Sequence, residues 1–245
     1  MTSFELSYLC LRPFLPPLHR KVSRRLSRLA RSNGRQADVL DVGGRKSHYT
    51  IGIPARITIT DLPRETEIQK RLNLGISDSI IEQGYVRRSN VNKMLFDDMT
   101  RSSLPDSSFD YVVAVEVLEH VEQDEQFVKE VSRVLKPGGI FLMTTPNGDS
   151  VKNTNPDHKR HYTRGQLASL LETHFSSVEV EYAIRGGTFR TLGLRSWSLK
   201  RPVRTALSMI GNVINTIQSA RESLKHQPHG TRHLIATARK GKKAR

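Results

Sequence analysis

Three histidines and two glutamates in this chain stand at spacings that could do chemistry. Glu116, Glu119 and His120 fall at i, i+3 and i+4 in the run FDYVVAVEVLEHV, so a helix beginning near Glu116 would carry all three on one face. The later segment NPDHKRHYTRGQL adds His158 and His161. Carboxylates and imidazoles gathered in this way suit Mg2+ or Zn2+, and Glu116, Glu119, His120 and His158 form the expected ligand set. An ion held there would lower the pKa of a bound hydroxyl and favour an oxyanion nucleophile. Without an ion, His120, His158 or His161 has the titration range of a general base for the same hydroxyl. Spacing does not rank the three, and the plain alternative is that Glu119 and His120 cap or pack.

Groups so far apart in the chain must be brought together by a sheet, and the sequence reads as alternating strand and helix. ADVLDVGG is a short apolar run ending in glycines, as expected of a buried parallel strand that enters a turn. Residues 56–62 alternate apolar and polar, are rich in β-branched types, and carry Asp61 at their end. A helix-compatible stretch over 64–83, interrupted by Gly75, leads to a third strand in NVNKMLFDD. Residues 111–115 give a fourth strand, Phe127, Val131, Val134 and Leu135 the apolar stripe of a helix, and 140–145 a fifth strand. A helix over 163–174, a strand over 178–184 and a last strand in HLIATAR complete the series. The recurrent order implies an α/β fold: a doubly wound, Rossmann-like, mostly parallel seven-stranded sheet with a helical insertion before the last strand. Such sheets bind ligands at the carboxyl ends of their strands, where both Glu/His segments would lie.

The glycine turn Asp41-Val42-Gly43-Gly44 lets the backbone approach a nucleoside ligand with no Cβ in the way. Asp61, about 20 residues on, stands where a carboxylate can accept hydrogen bonds from both ribose hydroxyls. A dinucleotide GxGxxG pattern would need glycine at Arg45, so a nicotinamide cofactor is disfavoured. Taken in order, the glycine turn, Asp61, Asp98 before Met99, LPDSSFDYVVAVEVLEHV and VLKPGG followed by a strand resemble the class I S-adenosylmethionine-dependent methyltransferases. The type is that of the ubiquinone-biosynthesis O-methyltransferases, and the resemblance spans roughly 39–184 plus the last strand. It implies S-adenosylmethionine as cofactor, with Asp41, Gly43 and Gly44 at its methionine end. Asp61 would take the ribose, Asp98 and the Met99 amide the adenine, and Glu116 would lie beside the cofactor. Locally, Glu116-x-x-Glu119-His120 and Asp157-His158-Lys159 are similar to the small-RNA terminal 2′-O-methyltransferases, in which such motifs hold a divalent ion. The family usually carries further glycines where this chain has Arg45, Lys46 and Ser47, so its turn must be reshaped.

Charge divides the chain. Of a net +15 over 245 residues, 6–37 hold eight Lys/Arg and no acid, and 182–245 hold fourteen against Glu222 alone. The expected organisation is a basic helical segment over 1–36, a core over 37–185, a basic helical insertion over 186–230, and a last strand with basic tail over 231–245. In the first segment Val22, Leu26 and Leu29 define one face of a basic helix over 19–32. In the insertion, Pro202 opens a helix in which Val203, Leu207, Ile210, Ile214 and Ile217 fall in register. Such a stripe packs on the core, on a second copy, or on an anionic membrane surface.

The expected reaction is O-methylation of a hydroxyl on a small molecule: a sugar, a lipid-linked glycan or a secondary metabolite. Metal-assisted RNA 2′-O-methylation is a second expectation, less favoured because aromatic residues are only 6% and no RNA-binding module is visible. A degenerate fold kept as a non-catalytic binding protein is a third, motivated by the altered glycine turn. One cysteine, Cys10, no leader-like start and no long apolar run give the expectation of a cytoplasmic protein, peripheral at the inner face of a membrane.

Overall fold

Strand β1 (Ala37–Val42) is buried at every position but Asp38 because both of its faces are covered, the pattern of a central parallel strand. The computed structural model describes residues 1–44, 47–63 and 87–242. β1 pairs in parallel with β2 (Ala55–Asp61) on one side and with β4 (Phe109–Val115) on the other. β3 (Val91–Phe96) extends the sheet beyond β2, and β5 (Leu135–Pro146) lies beyond β4. The last strand in the chain, β7 (Thr231–Arg239), inserts antiparallel between β5 and β6 (Ser177–Arg185). The order β3-β2-β1-β4-β5-β7-β6 is the doubly wound, mostly parallel seven-stranded sheet expected from the sequence. Chain direction across the sheet reverses between β1 and β4, which opens a crevice beyond their carboxyl ends.

Helices cover both faces. α1 (Ser3–Leu11) and α2 (Pro17–Ser32) precede the sheet; α3 (Asp124–Val134) and α4 (Arg164–Glu172) follow β4 and β5. α5 (Thr188–Gly193) and α6 (Pro202–Ser219) lie between β6 and β7. Phe127, Val131, Leu167 and Leu171 pack with Leu40, Val112 and Phe141 on one face of the sheet. Val22, Leu26 and Ala30 of α2 pack with Val39, Ile57, Val113 and Leu142 on the other. Among the described residues no helix is long and apolar enough to cross a membrane.

Three expectations change. Residues 116–120 do not form a helix face: Glu116 takes a left-handed φ of 56°, and only a 3-10 turn, Leu118–His120, follows. The apolar stripe of α6 faces outward, which removes the core from the three surfaces open to it. A short helix, α1, occupies the proline-flanked start, where Thr2 and Glu5 form a reciprocal capping box that the sequence reading passes over. The helix-compatible stretch over 64–83 lies outside the described residues.

Candidate active site

At the carboxyl end of β1 the chain makes the glycine turn. Gly43 adopts a φ of +67°, and a Cβ there would lie 2.8 Å from Val117 Cγ2. A Cβ on Gly44 would lie 2.4 Å from Asp41 Cγ, so only glycine lets the turn close over that carboxylate. Asp41 itself is fully buried beneath the turn. Its oxygens accept hydrogen bonds from Tyr49 Oη at 2.7 Å and Thr50 Oγ1 at 3.3 Å. Burial pushes its pKa up to about 6, against the opposing pull of Ser47, Tyr49, Arg88 and Thr50. Asp41 thus braces the segment that returns from the turn; Arg45 and Lys46 lie outside the described residues.

The neighbouring strand ends supply two more carboxylates. Asp61 closes β2, half-buried, and accepts from the Leu62 amide at 2.8 Å. Asp98 accepts from the Thr100 amide at 3.0 Å and its hydroxyl at 2.8 Å, which fixes the turn that buries Met99. Together with the Gly43–Gly44 turn these groups border the crevice on the β2 and β3 side.

Glu116 begins the opposite wall. Its left-handed backbone is held by Thr144, whose carbonyl accepts the Glu116 amide at 3.1 Å and whose hydroxyl donates to Oε1 at 3.0 Å. Oε2 lies 3.2 Å from His233 Nδ1. Burial acts to raise this carboxyl, but His233 and the Thr144 hydroxyl prevail and hold it below its ordinary value. Arg190, always a donor, approaches His233 Nε2 at 3.3 Å, which leaves the imidazole proton on Nδ1, facing Glu116. Glu116 is therefore engaged by Thr144 and His233, and the four-residue ligand set expected from the sequence is not gathered as such.

What is gathered is Glu119, His120 and His158, each offering a ligand atom within 4.8 Å of the others. Glu119 is fully buried; Oε2 accepts from Thr145 Oγ1 at 3.1 Å, while Oε1 has no partner. Burial, reinforced by the charge of Glu116, pushes its pKa well above the ordinary carboxylate range. The histidines are ordered by a chain of contacts. His161 Nδ1 faces the Val151 carbonyl at 2.9 Å and must donate to it, so its Nε2 accepts from His158 Nδ1 at 2.8 Å. His120 Nδ1 likewise faces the Asp157 carbonyl at 3.0 Å. In the neutral tautomer that these contacts select, His120 and His158 each carry the proton on Nδ1 and present the lone pair of Nε2. Their rings meet edge to face at 4.7 Å. Burial and the two neighbouring imidazoles lower the pKa of His158, which favours its neutral form.

Two contributors escape sequence reasoning. His233 comes from β7, which only the sheet order brings beside β4's end. His19 of α2 packs edge-on to Tyr49 at 5.9 Å and feels the charges of Glu116 and His233; its pKa is lowered to about 4 by burial first and by His48 second. Tyr8 of α1 stacks on His48 at 5.5 Å, so the N-terminal helices reach over the segment following the glycine turn. The pairing of His48 with Tyr49, a few residues beyond the turn, is the one local signal that could have pointed there.

Known proteins resemble this arrangement. Residues 57–143 match the methyltransferase domain family. Over 96 residues the chain is 44% identical to a probable S-adenosylmethionine-dependent methyltransferase of Mycolicibacterium smegmatis, covering 37% of this chain and 36% of that protein. Over 156 residues it is 34% identical to a sterol 24-C-methyltransferase of Aspergillus fumigatus, covering 59% of this chain and 38% of that one. The chain thus spans between 36% and 38% of the length of these curated relatives. An S-adenosylmethionine-dependent methyltransferase from Archaeoglobus fulgidus shares the fold with a TM-score of 0.56 at 17% identity, over 91% of this chain and 94% of its own. A 1,6-didemethyltoxoflavin N1-methyltransferase of Burkholderia thailandensis, solved with S-adenosylhomocysteine, gives 0.53 at 19% identity, over 91% and 78%.

Proposed function

We propose that this chain, which carries a class I S-adenosylmethionine-dependent methyltransferase domain, methylates a hydroxyl oxygen activated at the Glu119–His120–His158 cluster. The observation that carries the reading is the gathering of the His120 and His158 rings, both bonded through Nδ1, around a buried Glu119 carboxyl oxygen that has no partner. When bound, S-adenosylmethionine supplies an electrophilic methyl group on a sulfonium. The residues present fit it: Gly43 and Gly44 give the close backbone approach, and Asp61 is a half-buried carboxylate at the strand end suited to ribose hydroxyls. Asp98 and Met99 would border the adenine, and Glu116 the crevice between β1 and β4.

The cluster also fits a divalent ion, because a buried oxygen without a partner and two imidazole lone pairs are cation ligands in waiting. Two imidazoles to one carboxylate suit Zn2+ better than Mg2+, which prefers oxygen donors and water. A bound ion would supply charge that favours the deprotonated hydroxyl. Without one, His158 takes the hydroxyl proton at Nε2 while Nδ1–H stays bonded to His161, and burial with the neighbouring imidazoles makes the resulting cation release that proton again. The acceptor belongs to a sugar, a lipid-linked glycan or another small metabolite.

Calorimetric titration of S-adenosylhomocysteine into wild type and Asp61→Ala tests the cofactor site; micromolar binding weakened at least about thirtyfold by the substitution is expected. Transfer of labelled methyl to hydroxylated acceptors, RNA included, then tests the cluster. Loss of turnover in chelator, restored by Zn2+, assigns the ion; insensitivity to chelator with loss in His158→Ala assigns the base. A folded wild type that binds no S-adenosylhomocysteine, or a rate indifferent to both treatments, sinks the reading. The similarity to a sterol 24-C-methyltransferase motivates a second reading, transfer to carbon of a lipid, which mass spectrometry and hydrolysis of the product distinguish.

A further inference from the structure

Helix α6 is built with its apolar side outward. Its buried positions are Ser208, Gly211, Asn212, Asn215 and Ser219. Asn212 Nδ2 donates to the carbonyls of Phe14 at 2.9 Å and Gly193 at 3.0 Å, and Asn215 Nδ2 to that of Arg185 at 2.8 Å. Ser219 Oγ accepts the Arg185 amide at 2.9 Å. These bonds lock the rotation of the helix, since turning it would leave buried polar groups unpaired. What remains outside is one continuous apolar face: Val203 is 72% exposed, Leu207 42%, Ile210 52% and Ile217 66%. Leu194 and the fully exposed Leu199 extend it past the N-terminal end of the helix. A contiguous patch of this kind on a soluble surface marks a contact with something apolar.

The flank of the same helix is strongly cationic. Between α2 and the C-terminal half of α6 lies a cleft of about 230 Å³ lined by Lys21, Arg24, Arg28 and Arg221. Its two lining or adjacent carboxylates are already taken: Glu181 pairs with Arg25 and Lys225, and Glu222 with Lys225. Arg24 and Arg28 are exposed and make no ion pair among the described residues. At the other end, Arg195, Lys200 and Arg201 are exposed beside Leu194 and Leu199.

We propose that this surface docks on an anionic lipid bilayer, with the outer face of α6 lying in the interface and the cations of the cleft against lipid phosphates. Charge selects this occupant. A second copy docking through the same face would set like cations against each other, because an isologous contact brings a patch onto itself. A nucleic acid would pair with the arginines but offer nothing to Val203, Leu207 and Ile210. A bilayer satisfies both, as in-plane amphipathic helices with a basic flank do.

The test is co-sedimentation of the full chain with vesicles of phosphatidylcholine, with and without phosphatidylglycerol. Binding at least about tenfold tighter to the anionic vesicles, weakening with added salt, is expected. Leu207→Glu with Ile210→Glu should abolish it, and Arg24→Gln with Arg28→Gln should weaken it about tenfold, each with an unchanged circular dichroism spectrum and melting temperature. Light scattering runs in parallel. A dimeric wild type made monomeric by the two glutamates, with no vesicle binding, would show that a second copy covers this face and overturn the proposal. So would equal binding to neutral and anionic vesicles. Neither readout depends on methyl transfer, so the result stands apart from the catalytic reading.

Discussion

Asp41 sits where β1 hands the chain to the glycine turn, and its burial makes it a pH-dependent stability element. Its pKa in the fold is about 6, against 3.8 for the exposed group. As pH falls, the folded state takes up the proton first, so acidification from about 6 towards 3.8 favours the fold through this residue, and at neutral pH its charge is a liability. Asp41→Asn keeps an acceptor for Tyr49 and removes the charge. Its stability should exceed that of wild type at pH 7.5 by up to about 3 kcal/mol, a gap that narrows below about pH 6 and is largely gone near pH 4. Urea titrations at both pH values read this directly; a constant gap would mean that the charge is not the cause. His161 is a positioning residue for His158, because its Nε2 fixes which nitrogen of His158 carries the proton. His161→Ala should lower kcat about 10- to 100-fold with little change in KM, and His161→Gln, which can still accept that bond, should recover part of the loss. Both effects in KM instead would place His161 in acceptor binding. At this scale the sequence makes legible the residues whose partners are near in the chain: the glycine turn, Asp61, and the Glu119–His120 and His158–His161 pairs. It does not reveal that Glu116 turns to His233, because that contact depends on β7 threading between β5 and β6, and no local spacing encodes a strand's neighbours.

Elements show the same division between period and orientation. The stripe of α6 is plain in the sequence, and the helix is there, yet the reading that a stripe faces a core assumes that burial of apolar area decides rotation. Here hydrogen bonds decide it. Asn212 bridges the N-terminal segment and α5 through two carbonyls, and Ser208 Oγ accepts from Trp197 Nε1 at 3.1 Å while donating to the Gly193 carbonyl. The usual substitution rule should therefore run backwards. Asn212→Leu, an increase in hydrophobicity, should cost about 1–3 kcal/mol by leaving the Phe14 carbonyl unpaired, while the Gly193 carbonyl keeps Ser208. Ile210→Ser, a decrease, should fall within about 0.5 kcal/mol of wild type. Denaturant midpoints compare the two, and a stabilising Asn212→Leu would show that the helix packs the other way round. The 3-10 turn after Glu116 is a second case: the i, i+3, i+4 spacing is real, but the left-handed Glu116 breaks the helix that would have used it.

At the scale of the whole molecule, the first twenty residues tie the entrance of β3 to the segment that follows the glycine turn. Glu5 is fully buried and accepts from the Thr2 amide at 2.7 Å and the Ser89 amide at 2.9 Å, while Thr2 Oγ1 donates to the Arg87 carbonyl at 2.6 Å. α1 is thus pinned to the entrance of β3, and from there Tyr8 reaches His48 and α2 brings His19 to Tyr49, over the carboxylate that braces the glycine turn. Burial acts to raise the Glu5 pKa, yet the Thr2 and Ser89 hydrogen bonds prevail and hold it below its ordinary 4.5. A carboxyl depressed in the fold stabilises it above the unfolded pKa, and the contribution disappears as pH falls below 4.5 through the lower folded value. Glu5→Ala leaves the Ser89 amide without its acceptor and should cost about 1–3 kcal/mol at pH 7. If α1 serves as part of the crevice wall, the same variant weakens S-adenosylhomocysteine binding several-fold while leaving vesicle binding through α6 intact, since α6 is held by Phe14 and Arg185 rather than by Glu5. Calorimetry and co-sedimentation on one preparation separate these effects: lost stability with unchanged cofactor affinity would confine the N-terminal helices to a structural role, and loss of both binding activities together would mean that the arm and the insertion move as one unit.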